Sequence, residues 1–225
     1  MTGLLAVAAS VIVSVGGALV VAQQPPAPQP PAPQTKGRLF PPTLLGLLEA
    51  PDRERWQKPD LIMDALGIAD GAVVAEIGAA GGWFTVRLAR RVGPNGIVYA
   101  EDIQPLMIEA LTRRLEQERI TNVRPILGTA NDPLLPGPVD SALIVWVYHE
   151  MDDPLTLLKN LARTLKRDGR IGIVDFTAGS GGPGPAANER VEPERIIATA
   201  LAAGLVLRSQ DLVPPFQFLL VFGKA

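Results

Sequence analysis

A run of small residues in the first half of the chain carries the clearest chemical signal. Residues 76–82 read EIGAAGG, between an apolar stretch typical of a buried strand and a segment with helical spacing. Small side chains leave the backbone open, so a ligand can lie against it and N–H groups at the helix start can bind its polar atoms. The pattern predicts a ligand loop formed by Glu76, Gly78, Ala80 and Gly82.

A pair of acids follows the next predicted strand, about twenty residues further on. Glu101 and Asp102 end that strand, and Ile103 comes directly after it. A carboxylate at this place can accept both hydroxyl groups of a ribose. We predict that Asp102 does so, with Glu101 as the other candidate. An N-cap of the helix that begins near Pro105 is the structural alternative for Asp102.

The charge of the loop separates two classes of nucleoside ligand. A dinucleotide fingerprint needs glycine at the position of Ala80, and the Glu76 carboxylate would repel a nearby pyrophosphate. S-Adenosylmethionine instead carries a sulfonium and an ammonium, which a carboxylate attracts. These residues therefore oppose a nicotinamide oxidoreductase and favour S-adenosylmethionine.

Four stretches carry a resemblance to a known family. Residues 74–90 (VAEIGAAGGWFTVRLAR), 97–107 (IVYAEDIQPLM), 140–150 (DSALIVWVYHE) and 165–176 (LKRDGRIGIVDF) resemble, in order, the motifs of class I S-adenosylmethionine-dependent methyltransferases. The resemblance spans about residues 59–224. It implies S-adenosylmethionine as the cofactor and methyl transfer to a small molecule as the activity. It also implies the cofactor contacts, which are Glu76, Gly78, Ala80, Gly82, Asp102, Ile103, Thr129, Ala130 and Asn131.

The fourth predicted strand covers the apolar residues 142–148, and the residues at and directly after its end are the candidates for contact with the methyl acceptor. Tyr148 and Glu150 are expected to line the substrate pocket. His149 is the candidate proton acceptor, because the reference pKa of histidine is near 6.5, although it could equally hold the following loop. The Gly- and Pro-rich residues 177–188 are interpreted either as a substrate lid or as a plain connection.

Alternating strand and helix patterns predict how these residues are positioned. They indicate an α/β, Rossmann-like, doubly wound sheet with helices on both faces. The last two predicted strands, residues 205–211 and 216–223, are joined too closely for a helical crossover, so the last strand should be antiparallel. The family resemblance implies seven strands in the order 3-2-1-4-5-7-6.

The chain divides by composition into three parts. Residues 4–22 are apolar and uncharged, which predicts a signal peptide or membrane anchor over residues 1–22. Residues 23–38 form a Pro-rich linker, and residues 39–225 form the methyltransferase domain. Cleavage would export the domain, whereas an uncleaved anchor that associates with the membrane through residues 4–22 favours the cytoplasmic face.

The overall composition excludes several kinds of site. The chain has no cysteine and one histidine, which excludes thiolate chemistry and a multi-His metal site, and no metal is predicted. A net charge of −2 without a basic stripe argues against a nucleic-acid partner. The alternative to a methyltransferase is a non-catalytic cofactor-binding or envelope interaction module with the same fold.

Overall fold

The computed structural model describes residues 39–179 and 181–225. The predicted signal peptide or anchor and the Pro-rich linker therefore lie outside the described residues. Within the described ranges, no helix combines the length and the apolar composition needed to cross a membrane.

Seven strands form one sheet in the order β3-β2-β1-β4-β5-β7-β6, which confirms the predicted order. Strands β1 to β5 are parallel, and β7 runs antiparallel to both β5 and β6, as the short final connection requires. The strands are β1 (Val73–Ile77), β2 (Ile97–Asp102), β3 (Val123–Leu127), β4 (Val139–Val145), β5 (Leu165–Phe176), β6 (Leu205–Val213) and β7 (Gln217–Lys224).

Helices cover both faces of the sheet, which confirms the doubly wound architecture. The helices are α1 (Arg53–Gln57), α2 (Pro59–Ala65), α3 (Trp83–Val92), α4 (Pro105–Gln117), α5 (Pro154–Thr164) and α6 (Pro193–Ala202). One apolar core lies under α2, α3 and α4 and includes Leu88 and Leu111. The other lies under α5 and α6 and includes Leu158 and Ile196. The central strands are buried on both sides, as their continuous apolar sequences indicate.

Two strand boundaries differ from the sequence prediction. The fourth strand was expected over residues 142–148 but ends at Val145, because Trp146 adopts a positive φ of 59° that breaks the extended backbone. A short 3-10 helix, Tyr148–Glu150, follows. The spacing of Leu155, Leu158, Ala162 and Leu165 predicts a helix that Gly169 ends. In the structure β5 already begins at Leu165, which is buried and lies opposite Val139 of β4.

Candidate active site

A cavity of about 220 Å³ opens at the carboxyl ends of β1, β2 and β4. The strand order reverses between β1 and β4, and ligands of open α/β sheets bind at such a reversal. Most of the predicted site residues lie in its wall, namely Glu76, Gly78, Ala80, Asp102, Ile103, Thr129, Ala130 and Glu150.

The glycine loop connects β1 to α3 through residues with positive φ. Gly78 has a φ of 74°, and a Cβ there would lie 2.5 Å from Val147 Cγ2, so only glycine fits. Ala80, at a φ of 48°, adopts the same region at a cost of roughly 1–2 kcal/mol. Gly82 was predicted to contact the cofactor, but it packs instead against α4. A Cβ at Gly82 would lie 2.5 Å from Leu111 Cδ1.

Asp102 ties the glycine loop to the end of β2. Its carboxylate accepts the backbone N–H groups of Ala80 and Gln104, each at 2.9 Å. Burial raises the pKa of Asp102, although these two N–H groups lower it. The N-cap of α4 is Gln104, so the alternative role of Asp102 as that cap is wrong. A carboxylate offers about four acceptor sites, and two N–H bonds leave room for ribose hydroxyls.

Glu101 lies in the same wall but is enclosed more tightly. Gly128 approaches its carboxylate so closely that a Cβ there would collide with Glu101 Oε1. Burial raises the pKa of Glu101 to about 8, and the charge of Asp102 adds to this effect. A carboxyl group that is neutral near pH 7 accepts ribose hydroxyls less strongly than an ionised one, which favours Asp102.

Glu76 lies at the base of the cavity beneath the glycine loop. Its carboxylate accepts the Thr85 hydroxyl at 2.5 Å, and its side chain is buried. Burial raises the pKa of Glu76 to about 8. The hydrogen bond from Thr85 and the nearby charge of Arg53 lower this pKa, but burial outweighs them. A cationic ligand end placed beside this group would favour its charged form.

Arg53 on α1 is a cavity residue that the sequence patterns did not predict. Its guanidinium lies 4.2 Å from the Trp83 ring centre and donates to the Leu48 carbonyl at 2.7 Å. Burial lowers the pKa of Arg53 to about 10. Among the described residues, nothing accepts a hydrogen bond from its buried Nε. No motif includes α1, so a contact made only by tertiary packing left no signal in the sequence.

The cover of the cavity comes from the residues before α1. Phe40 donates its N–H to Glu150 Oε2 at 3.1 Å and accepts the Gln104 side-chain amide at 3.0 Å. Residues of the 3-10 helix Pro42–Glu49 also lie in the cavity wall. The predicted lid, residues 177–188, contributes no lining residue within its described part. Arg190 instead holds that segment through the carbonyls of Thr177 and Pro185.

Of the three residues predicted to contact the methyl acceptor, Glu150 lies in the cavity wall, and Tyr148 and His149 are buried outside it. The position of Glu150 agrees with the prediction. The prediction for Tyr148 is wrong, because its side chain packs in the core and does not line the cavity. The positive φ of Trp146 turns the following residues, so Trp146 rather than Tyr148 faces the cavity. Trp83 and Phe84, at the start of α3, also lie in the wall.

Two further predicted residues lie outside the cavity wall. His149 is buried beside Asp175, with its Nδ1 atom 3.2 Å from Asp175 Oδ2. Asn131 uses its carbonyl to accept the Asn160 side-chain amide at 2.8 Å. Thr129 and Ala130 lie in the wall, so the predicted cofactor-contact stretch 129–131 reaches the cavity through these two residues.

Comparison with known proteins gives several matches to methyltransferases, each over part of the chain. Residues 74–169 match the family described as "Methyltransferase domain". The demethylmenaquinone methyltransferase of Geobacillus sp. is 30% identical over 39% of this chain and 38% of its own length. An uncharacterised methyltransferase of Mycobacterium bovis is 34% identical over 56% of this chain and 48% of its own length. The chain thus spans less than half the length of these relatives.

A solved structure extends the likeness to nearly the whole described domain. An S-adenosylmethionine-dependent methyltransferase from Aquifex aeolicus has a TM-score of 0.77, over 81% of this chain and 98% of its own. At 24% identity this likeness shows the fold. The family match over residues 74–169, the sheet order and the glycine loop all agree with a class I S-adenosylmethionine-dependent methyltransferase.

Proposed function

We propose that this protein transfers the methyl group of S-adenosylmethionine to a small, largely apolar molecule. The observation that carries the proposal is the cavity in which the glycine loop meets Glu76 and Asp102 at the reversal of strand order. This arrangement joins an open backbone, a ribose acceptor and a buried acid suited to a cationic tail.

The residues in the wall fit S-adenosylmethionine in both of its halves. Asp102 would bind the ribose hydroxyls, and Thr129 with Ala130 would contact the adenine. Glu76 would balance the ammonium of the methionine end, and Arg53, whose Nε has no acceptor among residues 39–179 and 181–225, suits the carboxylate of that end. When bound, the cofactor supplies an electrophilic methyl group already activated by its sulfonium.

The acceptor side supports a small apolar substrate. Trp146, Met151, Leu157 and Leu39 are among the residues that line the cavity around Glu150. An apolar wall with one ionisable group is typical of sites that bind a flat organic molecule and orient one polar atom of it. The named substrate of the Geobacillus relative, a demethylated menaquinone, is consistent with this class. The chain's own residues would exclude water and align the reacting atoms.

Binding of the demethylated product tests the cofactor assignment. We expect the full chain to bind S-adenosylhomocysteine with a Kd of about micromolar order in calorimetric titration and to show no heat with NAD. Binding of NAD alone would overturn the proposal.

Transfer of a labelled methyl group tests the catalytic step. We expect the full chain to move the isotopic methyl of S-adenosylmethionine to the hydroquinone form of 1,4-naphthoquinone. Binding of S-adenosylhomocysteine without transfer to this or other small phenols would favour the non-catalytic binding module instead.

Membrane association through residues 4–22 stays a prediction. Fractionation of cells that produce the full chain would test it, with a variant lacking residues 1–22 as the control. Recovery of both proteins in the same soluble fraction would contradict it.

A further inference from the structure

We infer that Glu150 takes up the proton lost by the methyl acceptor. We also infer that His149 and Asp175, which are buried outside the cavity wall, position Glu150. The inference rests on the proposed function. It replaces His149, the proton acceptor predicted from the sequence, with its neighbour.

The cavity decides between these two residues. Glu150 lies in the cavity wall, and its side chain keeps 12% of its exposure. The His149 ring is 5% exposed and contributes nothing to that wall. A proton acceptor must come within hydrogen-bond reach of the atom that loses the proton, and only Glu150 meets this condition.

Three ionisable side chains form a line that ends at the cavity. Asp175 Oδ2 lies 3.2 Å from His149 Nδ1, and His149 Nε2 lies 3.8 Å from Glu150 Oε1. The second distance exceeds a hydrogen bond but allows a close ion pair. Asp175 also accepts the Phe176 N–H at 2.8 Å and is fully buried, so it fixes the ring from the core.

The Phe40 N–H holds the other oxygen of Glu150. This bond, to Oε2 at 3.1 Å, and the His149 ring on Oε1 place the carboxylate between two fixed partners. Such preorganisation keeps the proton-accepting oxygen at one place in the wall.

The surrounding charges set the proton affinities of this line. Burial raises the pKa of Glu150 to about 7; the Phe40 N–H and His149 lower it, while Asp102 and Asp175 raise it. Burial lowers the pKa of His149, but the bond to Asp175 and the charges of Asp175, Glu150 and Glu189 outweigh burial and raise it. A base with a pKa near the working pH is the most effective for proton transfer.

The step balances in atoms and electrons. A lone pair of the acceptor's oxygen forms a bond to the methyl carbon as the carbon–sulfur bond breaks and leaves its electron pair on sulfur. The hydroxyl proton passes to the Glu150 carboxylate, which becomes a neutral acid. His149 keeps its proton throughout and therefore acts as a positioning residue.

Because His149 is the chain's single histidine, its ring signals in a ¹H–¹⁵N spectrum need no assignment among others. We expect its titration midpoint in the full chain to lie above 6.5 and to fall by about one pH unit in Asp175→Asn. Glu150→Gln should lower it by about half a pH unit. Glu109→Gln, on the exposed face of α4, is the matched control and should leave it unchanged. A midpoint that does not respond to Glu150→Gln would overturn the positioning role.

Transfer to the reduced naphthoquinone tests the proton transfer itself. Glu150→Gln should lower the rate by about 100-fold or more, with the affinity for S-adenosylhomocysteine changed by less than about threefold. Glu150→Asp, which keeps the charge, should recover part of the rate and also the rise in rate as the pH increases through the pKa of this carboxyl group. A Glu150→Gln rate close to that of the original protein would overturn the inference. If the original protein binds S-adenosylhomocysteine but transfers nothing, the acceptor class proposed above fails, and the histidine titration still decides the positioning.

Discussion

The two sides of the cavity are built in different ways. On the cofactor side, the glycine loop and Asp102, which we propose bind S-adenosylmethionine, come from one strand–loop–helix unit and the end of the neighbouring strand, with Ala80 and Asp102 only 22 residues apart. On the acceptor side, Phe40 and Glu150 meet across 110 residues of sequence. The comparison shows that backbone-based binding is encoded locally, whereas the chemistry directed at the acceptor depends on distant segments that pack together.

Gly78→Ala should give the largest effect and would test the backbone character of the cofactor side. The added Cβ must move Val147 and adopt a positive φ, which together cost about 3 kcal/mol or more. We expect the affinity for S-adenosylhomocysteine to fall by about 100-fold in calorimetry. Gly137→Ala, where nothing lies within 4 Å, is the matched control. Equal affinities of the two variants would contradict the close fit.

Glu76→Gln should change the pH dependence of stability. The folded protein raises the pKa of Glu76 from 4.5 to about 8, so it binds this proton more tightly than the unfolded chain does. The free energy of unfolding therefore falls as the pH rises through this window. The variant should be more stable than the original by about 3–4 kcal/mol at pH 9 and about equal to it at pH 5. Denaturant unfolding at both pH values measures this, and parallel profiles would show that Glu76 is not buried as described.

Asp102→Asn separates the two adjacent acids. Loss of one charge-assisted bond to a ribose hydroxyl should weaken S-adenosylhomocysteine binding by about tenfold or more. Glu101→Gln should weaken it by less, about threefold, because that carboxyl is neutral near pH 7. The reverse order in calorimetry would transfer the ribose contact to Glu101.

Trp146→Phe should give the smallest change in cofactor affinity. Trp146 packs against Phe176, with ring centres 5.1 Å apart, on the acceptor side of the cavity. A smaller ring there should alter the affinity for S-adenosylhomocysteine by less than about threefold, while the Tm falls by a few degrees. An affinity loss as large as that of Asp102→Asn would show that the two sides are not separate.

The sequence predicted the local half of this molecule well and the long-range half poorly. The family resemblance implied the order of the sheet, and the short final connection predicted the antiparallel last strand; both are confirmed. The stretch after β4 could not be read in the same way. An apolar run through Trp146 has the pattern of a strand, and only the packing of its backbone reveals the positive φ that ends it.

The same limit explains the missed and misplaced site residues. Arg53 and Phe40 belong to the described part before the motifs, where no periodicity or spacing points to a ligand. Tyr148 and His149 are predicted pocket residues because they lie at and directly after the end of a predicted strand, but one turn of 3-10 helix directs them into the core. Residue type identified the candidates here, and tertiary contacts alone distinguished Glu150 from its neighbours.

Phe40 joins the two sides through its peptide groups, because its N–H binds Glu150 and its carbonyl binds Gln104. Every amino acid except proline supplies both groups. Position 40 can therefore keep these two backbone contacts with any side chain except that of proline. Phe40 lines the cavity and is held by its backbone. A substitution there is therefore well suited to change which molecules enter without changing Glu150 or the glycine loop.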